Sequence, residues 1–255
     1  MYLCPDGKSE VTDELLYGTA VLVQDESYGG FVFCKTCYGY SGYVDEKALS
    51  QKKHNGTEFV VTSSFCDLYE YPEYRFAPVL TLPKGSIIEG EEKKCAEKRF
   101  LGIEHKGKTY YVPRNNVATL PMLARCENKG EKRAQIVRSA LSYLGTPYRW
   151  GGKSACGIDC SGLCFMAYTL CGLSLYRDAE PDARYVKKIP FESMEPCDLV
   201  YYNGHITMYI GDGKYVHSSA TLGGVTVGSF DKNSPHYYSA LSKDIVCCAR
   251  SLYFN

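Results

Sequence analysis

Cys160 has the residue type and the setting of a catalytic nucleophile. It stands between Asp159 and Ser161 in the glycine-rich stretch WGGKSACGIDCSGL, at the head of an apolar run. Peptide dipoles at a helix N-terminus favour a thiolate, so this position predicts a thiol pKa below the free value of about 8.5. Backbone N–H groups at such a helix start can also stabilise an oxyanion. Spacing alone leaves a structural cysteine in a buried helix as the commoner alternative.

A thiol nucleophile needs a proton acceptor, and His205 and His217 are the best placed of the five histidines. They flank the turn Gly-Asp-Gly at 211–213. In a hairpin folded at that turn, position 205 pairs near 218–219, so the two imidazoles are expected to be neighbours at one end of a sheet. One histidine can then act as the base while the other polar group holds its tautomer.

The first 120 residues predict two small β-barrels, because short β-type runs alternate with turn residues. The predicted strands of the first barrel are 19–24, 30–34 and 42–49, and those of the second are 58–64, 77–90, 99–105 and 108–118. Both sets end on an aromatic–valine pair followed by a polar turn, YVDEKAL and YVPRNNVA. This similarity indicates a degenerate duplication of roughly 60 residues.

Helical periodicity begins after a linker predicted at 121–130. The inward positions of the first predicted helix are Val137, Ala140, Leu141 and Leu144, with Gly145 ending it. A second helix, buried nearly all round, is predicted from Cys160 to Gly172. Strands are predicted at 197–203, 206–213 and 214–220. Helices followed by strands predict an α+β domain.

Four motifs follow one another in the second half: TPYRWGG (146–152), GIDCSGL (157–163), EPCDLVYY (195–202) and GHITMYIGDGKYVHSS (204–219). In order and spacing they resemble the motifs of the NlpC-type cell-wall peptidases. The resemblance covers about residues 131–255 and implies a papain-like α+β cysteine peptidase domain. It implies that Cys160 is the nucleophile, that His205 is the general base and that His217 orients His205.

The N-terminal half resembles, more weakly, the bacterial SH3-like domains found ahead of this catalytic domain. YGYSGYVDEKAL, residues 38–49, is similar to the closing segment of such domains. The expected fold is therefore α+β, with two small all-β SH3-like barrels preceding the peptidase domain. The expected boundaries are 1–55 and 56–120 for the two SH3-like domains, 121–130 for the linker and 131–255 for the peptidase.

The resemblance also implies a substrate. Family members cleave murein stem peptides, typically after γ-D-glutamate in L-Ala-γ-D-Glu-diamino acid. Asp159 and Ser161 match positions that bind the free amino end of the substrate, and a carboxylate there would pair with an ammonium group. Trp150 is expected among the substrate-binding residues. Tyr40 is expected to lean over the cleft and block longer N-terminal extensions, with Tyr38 and Tyr43 as alternatives in the same segment.

One departure from the family is visible. Where its members usually have Pro-Gly-Asp before the first histidine strand, this chain has Pro196, Cys197 and Asp198. The glycine serves a turn away from the nucleophile, so the change is not expected to affect activity.

Composition excludes several classes of partner. Lysine plus arginine equals aspartate plus glutamate, 29 each, so no net field attracts nucleic acid or anionic lipid. No apolar run approaches the roughly 20 residues of a membrane span. The pair Cys34 and Cys37 is too little for a zinc site without a second pair, so no metal and no cofactor is expected.

Thirteen cysteines, an odd number that includes adjacent Cys247 and Cys248, favour a reducing compartment. The start of the chain lacks the features of a secretory signal, and a cytoplasmic monomer is expected. The alternative is a secreted or wall-associated protein whose signal peptide has been removed.

The function expected is hydrolysis of the γ-D-glutamyl-diamino acid bond in murein peptides with a free N-terminal L-Ala, releasing L-Ala-γ-D-Glu for cell-wall recycling. The alternatives are a secreted endopeptidase acting on intact peptidoglycan, an inactive wall-binding protein, and an amidase or acyl transferase using the same thiol.

Overall fold

The computed structural model of the protein describes residues 1–25, 27–51, 56–119, 125 and 128–255. The chain divides into two units, Met1–Leu123 and Ala124–Asn255. Most of the predicted linker, 121–130, lies outside the described residues, and its last two residues belong to a helix. The finer boundaries expected at residues 55, 120 and 130 stay predictions.

The first unit consists of short strands, as its sequence predicts. They are β1 (Val21–Val23), β2 (Phe31–Thr36), β3 (Ser41–Asp45), β4 (Thr57–Val61), β5 (Phe65–Leu68), β6 (Leu80–Pro83), β7 (Ile87–Lys93), β8 (Phe100–His105), β9 (Lys108–Pro113) and β10 (Val117–Thr119). Short 3-10 helices, Glu46–Ala48 and Arg114–Asn116, follow β3 and β9.

Two antiparallel sheets and a hairpin organise these strands. The first sheet has the order β1-β2-β3, the second has the order β10-β4-β7-β8-β9, and β5 pairs with β6. Alternate residues of β2 are buried, Val32 and Cys34 among them, because successive side chains of a strand point to opposite faces. They pack with Met1 and Val44 in a small core of the first sheet.

The predicted strand 77–90 is wrong in one respect, because it is divided into β6 and β7. Gly85 between them has φ 88°, a left-handed conformation that turns the chain and that glycine adopts without steric cost. Strand β5 was not predicted.

The segment at Tyr17 and Gly18 packs against the second sheet. The N–H of Ile87 donates to the Tyr17 carbonyl at 2.8 Å, and the Tyr17 hydroxyl lies 2.7 Å from Nε2 of His105. A β-carbon at Gly18 would stand 2.2 Å from the Ile87 carbonyl oxygen, so only glycine fits this approach. This segment, which precedes β1, is therefore joined to the second sheet by both backbone and side-chain contacts.

The second unit is α+β, as predicted. Its helices are α1 (Lys129–Leu141), α2 (Cys160–Thr169) and α3 (Ser239–Lys243). Its strands are β11 (Lys153–Ser154), β12 (Gly157–Ile158), β13 (Val186–Ile189), β14 (Leu199–Tyr202), β15 (His205–Gly211), β16 (Lys214–Ser219), β17 (Gly224–Ser229) and β18 (Cys247–Ser251). No helix in the described ranges has the length and apolar character to cross a membrane.

A six-stranded antiparallel sheet of order β13-β18-β14-β15-β16-β17 carries helix α2. The first nine residues of α2, Cys160 to Tyr168, are buried, as predicted, because α2 lies between α1 and strands β15 and β16. Helix α1 buries Ile136 and Ala140, whereas Leu144, predicted to face inward, is 49% exposed. The sheet and α2 together position the residues that could carry chemistry.

Candidate active site

The nucleophile candidate is the first residue of α2. Asp159 caps this helix, and its Oδ1 atom accepts the N–H of Gly162 at 2.5 Å. Such a cap satisfies one of the amide groups that a helix N-terminus leaves without a partner. Cys160 directly follows this cap and is only 7% exposed, so its thiol is almost completely buried at the start of α2.

The electrostatic environment of the Cys160 thiol differs from the prediction. Burial raises the pKa of Cys160 to about 11, and the charge of Asp159 acts in the same direction. Hydrogen bonds from the N–H groups of Ile206 and Ser161, and the charge of Arg177, lower that pKa but do not outweigh burial. The predicted lowering of the Cys160 pKa is wrong. Removal of the thiolate from water destabilises it more than the hydrogen bonds at the start of α2 stabilise it.

The structure brings His205 and His217 together, as the hairpin predicts. Strands β15 and β16 pair Met208 with Val216, and the turn between them contains Asp212 at φ 52°. Nε2 of His205 lies 3.0 Å from Nδ1 of His217, with ring centroids 5.2 Å apart and planes at 77°. Because the N–H of Ile206 reaches the Cys160 thiol, the residue directly after His205 contacts the nucleophile.

Burial keeps both imidazoles uncharged. It lowers the pKa of His205 to about 4 and that of His217 to about 3, and the neighbouring His205 adds to the second shift. His217 is 1% exposed, and its Nε2 atom has no hydrogen-bond partner among the described residues. At neutral pH the site therefore holds an uncharged thiol and two neutral imidazoles, and attack by the thiol requires transfer of its proton to a base as the reaction proceeds.

Asp159 and Ser161, predicted to bind the substrate amine, are engaged with Arg177. Both carboxylate oxygens of Asp159 accept from this guanidinium, at 3.0 and 2.9 Å, and the Ser161 hydroxyl accepts from it at 2.8 Å. Asp159 is 6% exposed and Ser161 is 7% exposed. Their role in substrate binding stays a prediction.

Sequence reasoning missed Arg177 and Tyr148. The phenol of Tyr148 is half-buried, and burial raises its pKa to about 12, with Cys160 and Asp159 adding to the shift. Its position in the motif TPYRWGG, next to Pro147, was a signal that could have singled it out. Arg177 lies in an irregular segment after α2 and carries no such signal.

Trp150 and Tyr40 occupy exposed or partly exposed turns. Trp150 is 61% exposed in the turn before β11. Tyr40 lies in the first unit, in the turn between β2 and β3, where its N–H donates to the Thr36 hydroxyl at 3.0 Å. Tyr38, its predicted alternative, donates its hydroxyl to Asp13 at 2.6 Å. The substrate-binding roles of Trp150 and Tyr40 stay predictions.

Both halves of the chain match known protein families. Residues 145–243 match the NlpC/P60 family, and residues 1–49 match the bacterial dipeptidyl-peptidase SH3 domain. A dipeptidyl-peptidase 6 of Lysinibacillus sphaericus is 32% identical over 254 residues, covering 96% of this chain and 93% of that protein. A γ-D-glutamyl-L-lysine dipeptidyl-peptidase of Bacillus subtilis (strain 168) is 35% identical over 237 residues, covering 86% of this chain and 75% of that protein.

A crystal structure of an NlpC/P60 family protein from Bacillus cereus ATCC 10987 has the same fold. It superposes with a TM-score of 0.75 at 23% identity, covering 94% of this chain and 81% of that one. Similarity to a relative along nearly its whole length, together with the family match that spans Cys160, His205 and His217, leads to one conclusion: the chain belongs to the NlpC/P60 family of cysteine peptidases.

Proposed function

We propose that the chain is a dipeptidyl-peptidase that hydrolyses the γ-D-glutamyl-diamino acid bond of murein stem peptides with a free N-terminal L-Ala, and releases L-Ala-γ-D-Glu. The observation that carries the proposal is the contact between Nε2 of His205 and Nδ1 of His217 at 3.0 Å. His205 lies on β15, and the next residue of that strand, Ile206, contacts the Cys160 thiol. Support for the bond and the product length comes from two relatives, one named dipeptidyl-peptidase 6 and the other named γ-D-glutamyl-L-lysine dipeptidyl-peptidase.

In this proposal Cys160 attacks the γ-carbonyl carbon while its proton passes to His205. The C–N bond breaks as His205 returns that proton to the leaving amine, which leaves a thioester between Cys160 and the γ-D-glutamyl group. A water molecule then gives a proton to His205 and attacks the thioester carbon; the C–S bond breaks, the γ-carboxyl group of the product is released, and His205 returns the proton to the Cys160 thiolate. Backbone N–H groups at the start of α2 stabilise the oxyanion in both steps.

His217 orients the base. Its Nδ1 accepts the Nε2–H of His205, which leaves Nδ1 of His205 without a proton and able to accept the one from Cys160. A neutral His217 can play this part because burial holds its pKa at about 3.

The biological setting belongs to the same proposal. Stem peptides with a free L-Ala arise only after the peptide has been released from its sugar, so the enzyme acts in recycling of wall peptides. It works as a cytoplasmic monomer, and thirteen cysteines are in keeping with a reducing compartment.

The test uses two pairs of synthetic peptides: L-Ala-γ-D-Glu-diaminopimelate and L-Ala-γ-D-Glu-L-Lys, each with a free and with an acetylated N-terminus. Products are identified by mass spectrometry, with Cys160→Ala as the blank. Release of L-Ala-γ-D-Glu from the free-amine peptides alone supports the proposal. Equal cleavage of the acetylated peptides would make the enzyme an endopeptidase, and cleavage of none of them by the wild-type protein would leave a wall-binding role.

A further inference from the structure

The guanidinium of Arg177 is held inside the second unit by the residues around the nucleophile. Arg177 is 2% exposed, and Nη1 and Nη2 donate to Oδ1 and Oδ2 of Asp159 at 3.0 and 2.9 Å. Nη1 also donates to the Ser161 hydroxyl at 2.8 Å, and Nη2 to the Gly152 carbonyl at 3.4 Å. A bidentate pair of this kind fixes both partners in one plane.

Asp159 and Ser161 are the two residues on either side of Cys160. Asp159 also caps α2, since its Oδ1 atom accepts the Gly162 N–H at 2.5 Å. A shift of the Asp159 side chain would therefore move the helix start and the backbone that presents the thiol. Arg177, which lies 16 residues beyond Ser161 in the sequence, therefore binds both neighbours of the nucleophile with one rigid guanidinium group.

The charges around the thiol give this contact a further consequence. Asp159 places a buried carboxylate next to Cys160, and its charge opposes formation of a thiolate. Arg177 acts in the opposite sense on the same thiol. In a buried site two such charges are weakly screened, so loss of either one leaves the other unpaired beside the reacting atom.

We infer that Arg177 is a positioning residue for the reaction, because it neutralises the Asp159 carboxylate and fixes the backbone on both sides of Cys160. The inference rests on the proposed function, since it concerns the same nucleophile. It also has a consequence for substrate recognition. An ammonium group that binds Asp159 would have to share the carboxylate with the buried guanidinium of Arg177, which weakens the attraction, so Asp159 acts on catalysis more than on substrate affinity.

The experiment compares Arg177→Met, Asp159→Asn and the double variant. Asparagine keeps the helix cap but removes the charge. The rate of Cys160 alkylation by iodoacetamide at pH 9 is followed by mass spectrometry of the peptide that contains Cys160, without any murein substrate. We expect the rate to fall about tenfold in Arg177→Met and to rise by a similar factor in Asp159→Asn, because each leaves a charge of opposite sign. The double variant should return towards the wild-type rate.

Hydrolysis of the free-amine peptide gives the second measurement. We expect kcat to fall at least about tenfold in Arg177→Met while KM changes less, with partial recovery in the double variant. Arg184→Met is the matched control, because Arg184 lies seven residues on, is 72% exposed and pairs with Asp182 on the surface. It should leave both rates unchanged.

A purely structural role for Arg177 would lower thermal stability without moving the alkylation rate in opposite directions. Alkylation rates that are unchanged, or that change with the same sign in both single variants, would overturn the inference. If Arg177→Met does not fold, Arg177→Lys takes its place, because lysine keeps the charge without the bidentate contact; an unchanged kcat in that variant would overturn the positioning role. Failure of the wild-type protein to cleave any murein peptide would refute the proposed function, whereas the alkylation rates would still test Arg177.

Discussion

Nε2 of His205 lies 3.0 Å from Nδ1 of His217, across the hairpin formed by β15 and β16. Only one proton can occupy the line between the two nitrogens. If the proton resides on Nε2 of His205, then Nδ1 of His205 is free to accept a proton from Cys160. If it resides on Nδ1 of His217, then neutral His205 carries its own proton on Nδ1 and cannot accept another there. The tautomer of His217 therefore decides whether His205 can serve as the base.

Replacing His217 tests this dependence. We expect His217→Ala to lower kcat by about 10²- to 10⁴-fold, because His205 loses the acceptor that fixes its tautomer. His217→Asn offers a carbonyl oxygen as acceptor and should retain more of the activity. Steady-state kinetics on the free-amine tripeptide measures both variants, and equal activity of alanine and asparagine at this position would contradict the role given to Nδ1.

Replacing the nucleophile separates catalysis from folding. Cys160→Ala should abolish turnover and leave the unfolding transition close to that of the wild-type protein, because the thiol is at the end of its helix and alanine is a good helix former. Cys156→Ala, an exposed cysteine four positions earlier, is the control and should keep full activity. Hydrolysis by the purified Cys160→Ala protein would refute the assigned nucleophile.

The pH dependence of kcat/KM should reflect a base that is neutral over a wide range. Burial lowers the pKa of His205 to about 4, so activity should hold as the pH falls from 8 to about 5 and then decline as His205 gains a proton. Peptides with amidated α-carboxyl groups control for titration of the substrate. An acid limb with its midpoint near pH 6.5, the ordinary value for histidine, would show that His205 is not desolvated in the working enzyme.

Acid should also destabilise the second unit through the same histidines. Their pKa values are about 4 and 3 in the folded protein and about 6.5 when unfolded, so the unfolded chain binds more protons between these limits. The free energy of unfolding therefore has its full value above about pH 6.5, where the histidines are neutral in both states, and it decreases as the pH falls below that value.

Urea unfolding at pH 7, 5.5 and 4.5 measures this decrease. His217→Asn should reduce it, because one of the two titrating groups is removed. His236→Asn, at an exposed position, should leave the decrease as it is in the wild-type protein. A decrease of the same size in both variants would exclude His217 as one of its sources.

Cys197 provides a test of backbone strain. It has φ 71°, and this left-handed conformation costs a residue with a β-carbon roughly 1–2 kcal/mol relative to glycine. Its thiol is buried and accepts from Nη1 of Arg133 at 3.4 Å, so substitution also removes a contact. Comparison of Cys197→Gly with Cys197→Ala isolates the strain, because both lose the thiol.

We expect the glycine variant to be more stable than the alanine variant by about 1 kcal/mol, the reverse of their usual order within regular structure. Thermal unfolding of the two proteins gives the answer. Activity on the tripeptide should be the same in both, because position 197 precedes β14 and its bonds are to Arg133 and Tyr168, outside the candidate site.

The hairpin and the start of α2 could be predicted because their causes are local. The Gly-Asp-Gly turn sets the register that brings His205 to His217, and Asp159 is a capping residue directly before an apolar run. The pKa of Cys160 could not be predicted in this way, because it depends on how deeply the fold buries the thiol. Arg177 was missed for a related reason: it lies in an irregular segment, and only tertiary contact joins it to Asp159.

The first unit shows both kinds of cause. The break between β6 and β7 is local and could have been predicted, because Pro83, Lys84 and Gly85 form a turn sequence, whereas the short strand β5 depends on its pairing with β6. The papain-like fold and the barrels in front of it were predictable mainly through resemblance, since short strands of this kind occur in many unrelated barrels.

The contact at Gly18 has a consequence for how such proteins can be recombined. Residues on the N-terminal side of the chain complete the packing of the second sheet: Tyr17 bonds to Ile87 and His105, and Gly18 admits no side chain. A gene fusion that cut between the first sheet and the second would remove Tyr17, which packs against the buried core of the second sheet. The smallest portable piece of the N-terminal half is therefore the pair of sheets, and a graft onto another catalytic domain would have to carry both.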